Sequence, residues 1–128
     1  MEGRVIFEGR AEGDVLASEE AISFYGGVDP DTGVVTEKGH PLEGASVAGS
    51  VLVFPRGKGS TVGSYTLYRL KRNGVAPAAI VVEECDTVVA VGAIISEIPC
   101  VDRIPVDRLA TGMAAVVEAG RVSAEPRS

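Results

Sequence analysis

The sequence contains no tryptophan, one histidine and only two cysteines among its 128 residues. The cysteines, Cys85 and Cys100, lie fifteen positions apart and neither belongs to a CxxC pair, which excludes the usual zinc and dithiol motifs. Two cysteines alone cannot hold an iron–sulfur cluster, which takes about four protein ligands as a rule. We therefore expect no metal site in this chain, and we expect both cysteines to be buried as small apolar side chains.

An excess of positive charge is also absent. Twelve Lys and Arg residues stand against 18 Asp and Glu residues, for a net charge of −6. This balance argues against nucleic-acid binding, which needs a cationic face. No apolar run is close to the length of about 18 residues that a membrane helix needs. The first residues also lack the apolar core of a secretion signal. We expect a cytoplasmic protein that binds neither nucleic acid nor membrane.

What the sequence does have is aliphatic content, since 45% of its residues are hydrophobic and only 5% are aromatic. The length indicates a single domain over residues 1–128, with a core at about 3–124 and a frayed C-terminal tail. Strands are predicted at Val5–Phe7, Gly13–Ala17, Ile22–Phe24, Val47–Phe54, Ala78–Val82, Ile98–Val101, Met113–Val117 and Arg121–Ala124.

Two helices are predicted between the later strands. The first covers Ser60–Asn73, with Ser60 or Thr61 as its N-cap, and the second covers Thr87–Ala93 with Asp86 as its N-cap. The order of elements indicates an α/β domain with layers of β, β and α rather than a doubly wound sheet.

The stretch "PRGKGSTVGSY" at residues 55–65 follows an apolar strand directly. A Walker loop is excluded because Lys58 is followed by Gly59, and a dinucleotide fingerprint is excluded because Val62 replaces its third glycine. A GxSxG nucleophile elbow is absent as well. The only histidine, His40, lies in a predicted loop, which argues against a serine triad.

What remains is a glycine-rich turn that brings two hydroxyls, Ser60 and Thr61, to a predicted helix N-terminus. Backbone amides and the helix dipole bind anions there. Such a site also stabilises a serine alkoxide, which needs nearby positive charge because an alcohol is a very weak acid. Arg56 and Lys58 are the nearest cations in sequence. The residues alone leave open that Ser60 only caps the helix, which is worth about 1 kcal/mol.

Five segments occur in the order "GGVDPDTGVV", "HPLEG", "VLVFPRGKGSTVGSY", "APAAIVVEECD" and "VGAIISEIPCVD". Together, over about residues 3–105, they resemble the small subunit of the aconitase X family, whose archaeal members include phosphomevalonate dehydratase. The resemblance implies the swivelling β/β/α domain of aconitases as a separate polypeptide. It also implies a large-subunit partner whose own cysteines carry a 4Fe-4S iron–sulfur cluster, the Lewis acid for the leaving hydroxyl.

The resemblance further implies a hydro-lyase reaction, the dehydration of mevalonate 5-phosphate to trans-anhydromevalonate 5-phosphate, with activity only in the complex. Gly59-Ser60-Thr61 matches the position of the aconitase serine that takes the proton alpha to the carboxylate, so Ser60 is the expected catalytic base. Val62 stands where aconitases have an arginine. The positive charge is therefore expected from Arg56, Lys58 or the large subunit.

Arg56, Lys58, Gly59 and Thr61 are the expected substrate-binding residues for a small phosphorylated hydroxy acid. Two alternatives remain: a related dehydratase subunit that acts on another hydroxy acid, such as a hydroxyproline, and a non-catalytic interaction domain that covers a partner's site. The tyrosines of the first helix, Tyr65 and Tyr68, are expected to pack rather than to contact substrate.

Overall fold

The structure is a computed structural model that describes residues 1–126. The last two residues of the predicted frayed tail, 127 and 128, lie outside the described residues. The strands are β1 (Arg4–Phe7), β2 (Ala11–Ala17), β3 (Val51–Phe54), β4 (Ala79–Val82), β5 (Cys100–Asp102), β6 (Ala114–Glu118) and β7 (Arg121–Glu125). The helices are α1 (Gly63–Arg72), α2 (Thr87–Ser96) and a 3-10 turn at Val106–Arg108.

The strands form a seven-stranded sheet in the order β1-β5-β4-β3-β2-β6-β7. Strands β2 to β5 are parallel neighbours, whereas β1, β6 and β7 pair antiparallel at the two ends of the order. Strand β2 serves two partners, because residues 11–14 pair with β6 and residues 15–17 pair with β3. The predicted β/β/α layering is confirmed.

The first three residues join the two ends of the sheet. Met1 and Val122 exchange backbone hydrogen bonds at 2.9 and 2.8 Å, and the Gly3 amide donates to the Gly120 carbonyl at 2.8 Å. Since residue 4 begins β1 and residue 121 begins β7, the sheet nearly closes on itself. Near closure leaves little unpaired strand edge exposed.

Both faces of the central strands are buried, which explains the continuous apolar run in β3. Leu52 and Phe54 belong to the core cluster beneath the helices, and Val51 and Val53 belong to a second cluster with the β6–β7 hairpin. Side chains alternate between faces along a strand, so one run of four apolar residues supplies both clusters.

Two predicted strands differ from the structure between β2 and β3. Ile22–Phe24 is not a strand, since only Ile22 makes an isolated parallel bridge, with Gly57. Ile22 and Phe24 are nevertheless 2% and 1% exposed, because this segment packs under the helices as a loop. That burial, rather than strand formation, explains why these residues are apolar. The strand predicted from Val47 begins only at Val51, because the preceding residues form a turn closed by the Ser50 amide on the Val47 carbonyl.

The predicted start of the first helix was wrong by three residues. Helix α1 begins at Gly63, and its N-cap residue, Val62, makes no capping hydrogen bond through its side chain. Ser60 and Thr61 therefore do not cap the helix. Instead the Ser60 hydroxyl accepts from the Val62 amide at 3.2 Å, which builds a local turn before the helix.

The second helix is longer than predicted and extends to Ser96. Its predicted cap is confirmed, because the Asp86 carboxylate accepts from the Val88 amide at 3.1 Å. The packing predicted for the tyrosines of α1 was wrong within this chain. Tyr65 is 68% exposed and Tyr68 is 38% exposed, since the apolar side of α1 that meets the core is carried by other residues.

An ion pair between the exposed Arg4 and the buried Asp102 links β1 to β5. Arg4 donates from Nε and Nη2 to the two carboxylate oxygens of Asp102, at 3.0 and 2.7 Å. The Cys85 amide adds a third hydrogen bond to the same carboxylate at 3.3 Å. Burial by itself would raise the pKa of Asp102, but the hydrogen bonds from Arg4 and Cys85 together with the Arg4 charge outweigh it, so this pKa lies below its ordinary value of 3.8.

We expect Asp102→Asn to lower the free energy of unfolding by about 1–3 kcal/mol at pH 7, because the NH2 group of the asparagine would face the N–H donors of Arg4 and Cys85. A lowered folded-state pKa means that the ionised carboxylate stabilises the fold above its unfolded-state pKa and stops doing so as pH falls through the folded-state pKa. In urea unfolding, the difference between wild type and variant should therefore shrink below about pH 4.

A matched control is Glu118→Gln, which removes an exposed ion pair with Arg10 at 3.2 Å. It should change stability by less than about 1 kcal/mol. A difference between wild type and Asp102→Asn that is absent at pH 7, or that stays constant down to pH 2, would contradict the assignment.

Candidate functional site

The glycine-rich loop leaves the carboxyl end of β3 and enters α1. The chain that follows β4 lies beside it, because the Glu83 and Glu84 amides both donate to the Pro55 carbonyl, at 3.2 and 3.0 Å. In many α/β proteins, ligands bind at the loops that follow the carboxyl ends of parallel strands. The fold therefore places the glycine-rich loop at the end of the sheet where ligand sites are most often found.

Asp86 ties this loop to α2. One carboxylate oxygen accepts from the Gly57 amide at 2.9 Å, and the other accepts from the Val88 amide at 3.1 Å. A Cβ atom at position 57 would overlap the Asp86 carboxylate and the Val89 side chain, so this approach requires glycine. One side chain thus caps a helix and fixes the base of the loop.

The other side of the loop base is held by the segment around Ile22. Its amide donates to the Arg56 carbonyl at 3.2 Å, and its carbonyl accepts from the Lys58 amide at 3.0 Å. Beyond this point Gly59 has a φ of +92°, and a Cβ there would overlap Ser23 Oγ. The loop is therefore fixed at its base, and a glycine turns it outward at its tip.

The loop tip presents an exposed hydroxyl beside open amides. Ser60 is exposed, and its carbonyl accepts from the Gly63 amide at 2.9 Å. Within residues 1–126, none of the backbone amides of Gly59, Ser60 and Thr61 donates a hydrogen bond to another residue. Consecutive backbone amides without protein acceptors are potential donors to an anion.

The first turn of α1 contributes less to anion binding than the sequence indicated. The amides of Gly63, Ser64 and Tyr65 already donate to the carbonyls of residues 60, 61 and 62, at 2.9, 3.2 and 3.0 Å. The amides without a protein acceptor therefore lie in the loop before the helix rather than in the first turn of the helix.

The two cations of the loop are in different situations. Lys58 Nζ pairs with Glu37 Oε2 at 2.9 Å. Arg56 is exposed, and it makes no ion pair with any residue in the range 1–126. In that same range no hydrogen bond joins either cation to Ser60. The five predicted site residues share one loop, but the structure does not bring a positive side chain onto the hydroxyl.

Two groups that shape this site were not predicted from the sequence. Asp86 was predicted only as a helix cap, although its place after β4 already put it at the same sheet edge as the loop. Glu37 gave no signal, because its partner Lys58 is 21 residues away and the turns between them carry no periodicity.

The groups most often associated with metals are structural here. Cys100 is buried as predicted, but the prediction was wrong for Cys85, which is only half-buried and whose Sγ donates to the Asp86 carbonyl at 3.6 Å. Interaction between the two thiols lowers the pKa of Cys85 and, together with burial, raises the pKa of Cys100. His40 is 5% exposed; its Nδ1 accepts from the Leu42 amide at 3.0 Å, so Nε2 donates to the Ala21 carbonyl. Over residues 1–126, no group of three or more His, Cys, Asp or Glu residues is placed to hold a metal ion. This chain does not fit an iron–sulfur cluster.

No helix in residues 1–126 has the length and apolar character needed to cross a membrane.

Comparison with known proteins gives consistent results over nearly the whole chain. The family model of the aconitase X swivel domain matches residues 1–124. A protein of Thermococcus kodakarensis named phosphomevalonate dehydratase small subunit is 56% identical over 119 residues, which cover 93% of this chain and 90% of that protein. A protein of the same name from Methanocella arvoryzae is 55% identical over 121 residues, 92% of each chain.

A solved structure is similar over the same extent. The crystal structure of Thermococcus kodakaraensis aconitase X in its holo-form superposes with a TM-score of 0.95 at 54% identity, over 97% of this chain and 96% of that one.

We expect Asp86→Ala to lower the free energy of unfolding by about 1–2 kcal/mol, since it removes a helix cap and frees the Gly57 amide. Hydrogen exchange at the amides of Gly57 and Val88 should accelerate more than exchange in β3. The control is Asp107→Ala, an exposed aspartate that makes none of these hydrogen bonds, which should stay within about 0.5 kcal/mol of wild type. Equal urea midpoints and unchanged exchange for Asp86→Ala would contradict the bridging role.

Proposed function

This chain belongs to the aconitase X family and corresponds to its swivel domain; on that premise we propose that it is the small subunit of a phosphomevalonate dehydratase. With a large subunit it removes water from mevalonate 5-phosphate to give trans-anhydromevalonate 5-phosphate. The observation that carries the proposal is the exposed Ser60 hydroxyl, at the tip of a loop with a fixed base and open amides. Relatives of that name at 55–56% identity support the choice of reaction.

The chain supplies only part of this site. Residues 1–126 offer no set of metal ligands, and the loop tip faces outward rather than into a closed cavity of this chain. A partner must therefore complete the site. In the proposal that partner is the large subunit, which holds the 4Fe-4S cluster and encloses the substrate over the loop.

Ser60 is the proposed base. In its alkoxide form, Ser60 Oγ takes the proton from the carbon alpha to the carboxylate and becomes a neutral hydroxyl. The C–H electron pair forms the double bond, and the hydroxyl on the neighbouring carbon leaves with the C–O electron pair as hydroxide, for which the cluster of the large subunit would supply the Lewis acid. The Val62 amide already donates to this oxygen at 3.2 Å, so a hydrogen bond is in place that favours the anionic form. Although position 62 lacks the arginine of aconitases, its backbone N–H supplies part of the same stabilisation.

The remaining loop residues bind the substrate in this proposal. The substrate carries two anionic groups, a phosphate and a carboxylate. Arg56 has no ion pair within residues 1–126 and is available to one of these groups, whereas Lys58 is partly neutralised by Glu37. The amides of Gly59 and Thr61 are donors for the other group.

Ser60→Ala should reduce kcat for mevalonate 5-phosphate by at least about 100-fold in the reconstituted complex, because proton transfer loses its base. Its melting temperature and its binding to the large subunit should be unchanged. The matched control is Ser46→Ala, because Ser46 is also exposed and its hydroxyl accepts from the Ala48 amide at the same 3.2 Å, in another loop. An anaerobic assay of both complexes makes the comparison.

Near-wild-type turnover by the Ser60→Ala complex would refute the base and favour a non-catalytic interaction domain. If the wild-type complex dehydrates a different hydroxy acid and leaves mevalonate 5-phosphate intact, the substrate assignment fails while the role of Ser60 remains open to the same comparison.

Substitutions of Arg56 and Lys58 should affect KM to different extents in a second experiment. Arg56→Gln should raise KM for mevalonate 5-phosphate about 10-fold or more, since a charge-assisted contact to an anion is lost. Lys58→Gln should raise it less, because Glu37 already pairs with the ammonium group. Steady-state kinetics at low ionic strength measure both values. Equal KM values for Arg56→Gln and wild type would contradict its contact with the substrate.

A further inference from the structure

Helix α2 is apolar around its whole circumference but is buried on only one side. Its ten residues, TVVAVGAIIS, include no charged side chain. A helix of this kind is normally surrounded by other structure. Here the outer residues Val91, Ile94 and Ile95 are 43%, 49% and 43% exposed. The sequence of α2 is therefore that of a helix with two covered sides, and this chain covers one.

The exposed apolar surface continues onto the start of α1. Val62 and Tyr65 are 45% and 68% exposed, and a groove of about 330 Å³ separates them from Val91 and Ile95. The residues lining the groove are all uncharged: Thr61, Val62, Ser64, Tyr65, Thr87, Val88, Val91 and Ile95. We define the helix face as Val62, Tyr65, Val91, Ile94 and Ile95.

The helix face is a patch rather than scattered side chains. Nine large hydrophobic residues within 1–126 are exposed, and five of them form this face. Contiguous exposed apolar surface of this kind marks an interaction site.

The two helices that carry the face are held closely together. Ser64 Oγ donates to the Val88 carbonyl at 2.7 Å. Gly92 packs so tightly that a Cβ there would overlap the Leu67 side chain. The groove therefore has fixed walls, which suits a partner that binds a preformed surface.

We propose that the helix face is the surface on which the large subunit docks, through an apolar surface of its own. The inference rests on the proposed function. Thr61 lines the groove and adjoins Ser60, so the face is continuous with the loop that the large subunit must cover for catalysis. Relatives of this chain are named as small subunits, and that name implies a large-subunit partner.

The test is the double substitution Val91→Lys with Ile95→Lys in the full-length chain, titrated against the purified large subunit of the same enzyme. Two buried charges at the centre of the interface should weaken Kd by at least about 100-fold. The control is Val5→Lys, which alters a 41% exposed apolar residue on β1, and it should leave Kd within about twofold. Both variants should melt at or above the wild-type temperature, since the altered side chains are exposed.

Activity supplies a second readout that separates docking from chemistry. Excess large subunit should restore turnover of the double-lysine variant, because only assembly is weakened. Excess large subunit should not restore Ser60→Ala. If the lysines abolish binding while the wild-type complex leaves mevalonate 5-phosphate unchanged, the docking surface stands and the proposed function fails.

Two outcomes would overturn the inference. One is an unchanged Kd for the double-lysine variant. The other is a wild-type chain that dimerises in light scattering, a double-lysine chain that is monomeric, and equal binding of both to the large subunit, since the face would then belong to a second copy.

Discussion

The structure depends on burying both faces of its four parallel strands. Strands β2 to β5 present apolar side chains above and below, so two separate layers are needed to exclude water from them. The helices supply one layer, and the β6–β7 hairpin, joined to β1 through the first three residues, supplies the other. With both faces covered, the loops at the ends of these strands remain exposed.

At the carboxyl ends of the parallel strands, one loop combines a rigid base with an exposed tip. Asp86 and the backbone of Ile22 hold its base with hydrogen bonds, and positive φ at Gly59 turns its tip outward. Ser60 is therefore positioned by a fixed frame without being buried by it. In the proposed function, this combination suits a catalytic serine whose substrate and metal come with another chain, because the frame sets the geometry and the exposure admits the partner.

The same incompleteness is visible in α2. A charge-free helix with one open side is stable in this chain because its inner side packs against α1 and the sheet. Its outer side contributes no stabilisation from apolar burial until another surface covers it. The docking proposed for the helix face would bury this surface and enclose the loop tip in a single association, so assembly and completion of the active site become one event.

The sequence by itself determined the features that depend on neighbours along the chain. The continuous apolar run of β3, the Asp86 cap and the two C-terminal strands follow from local composition and turn chemistry, as does the grouping of residues 56–61 in one loop. Tertiary structure decided the rest. Ile22–Phe24 packs as a buried loop because the helices above it, not its own pattern, set its burial. Asp86 reaches Gly57, 29 residues away, because the parallel pairing of β3 and β4 brings the segments that follow them side by side.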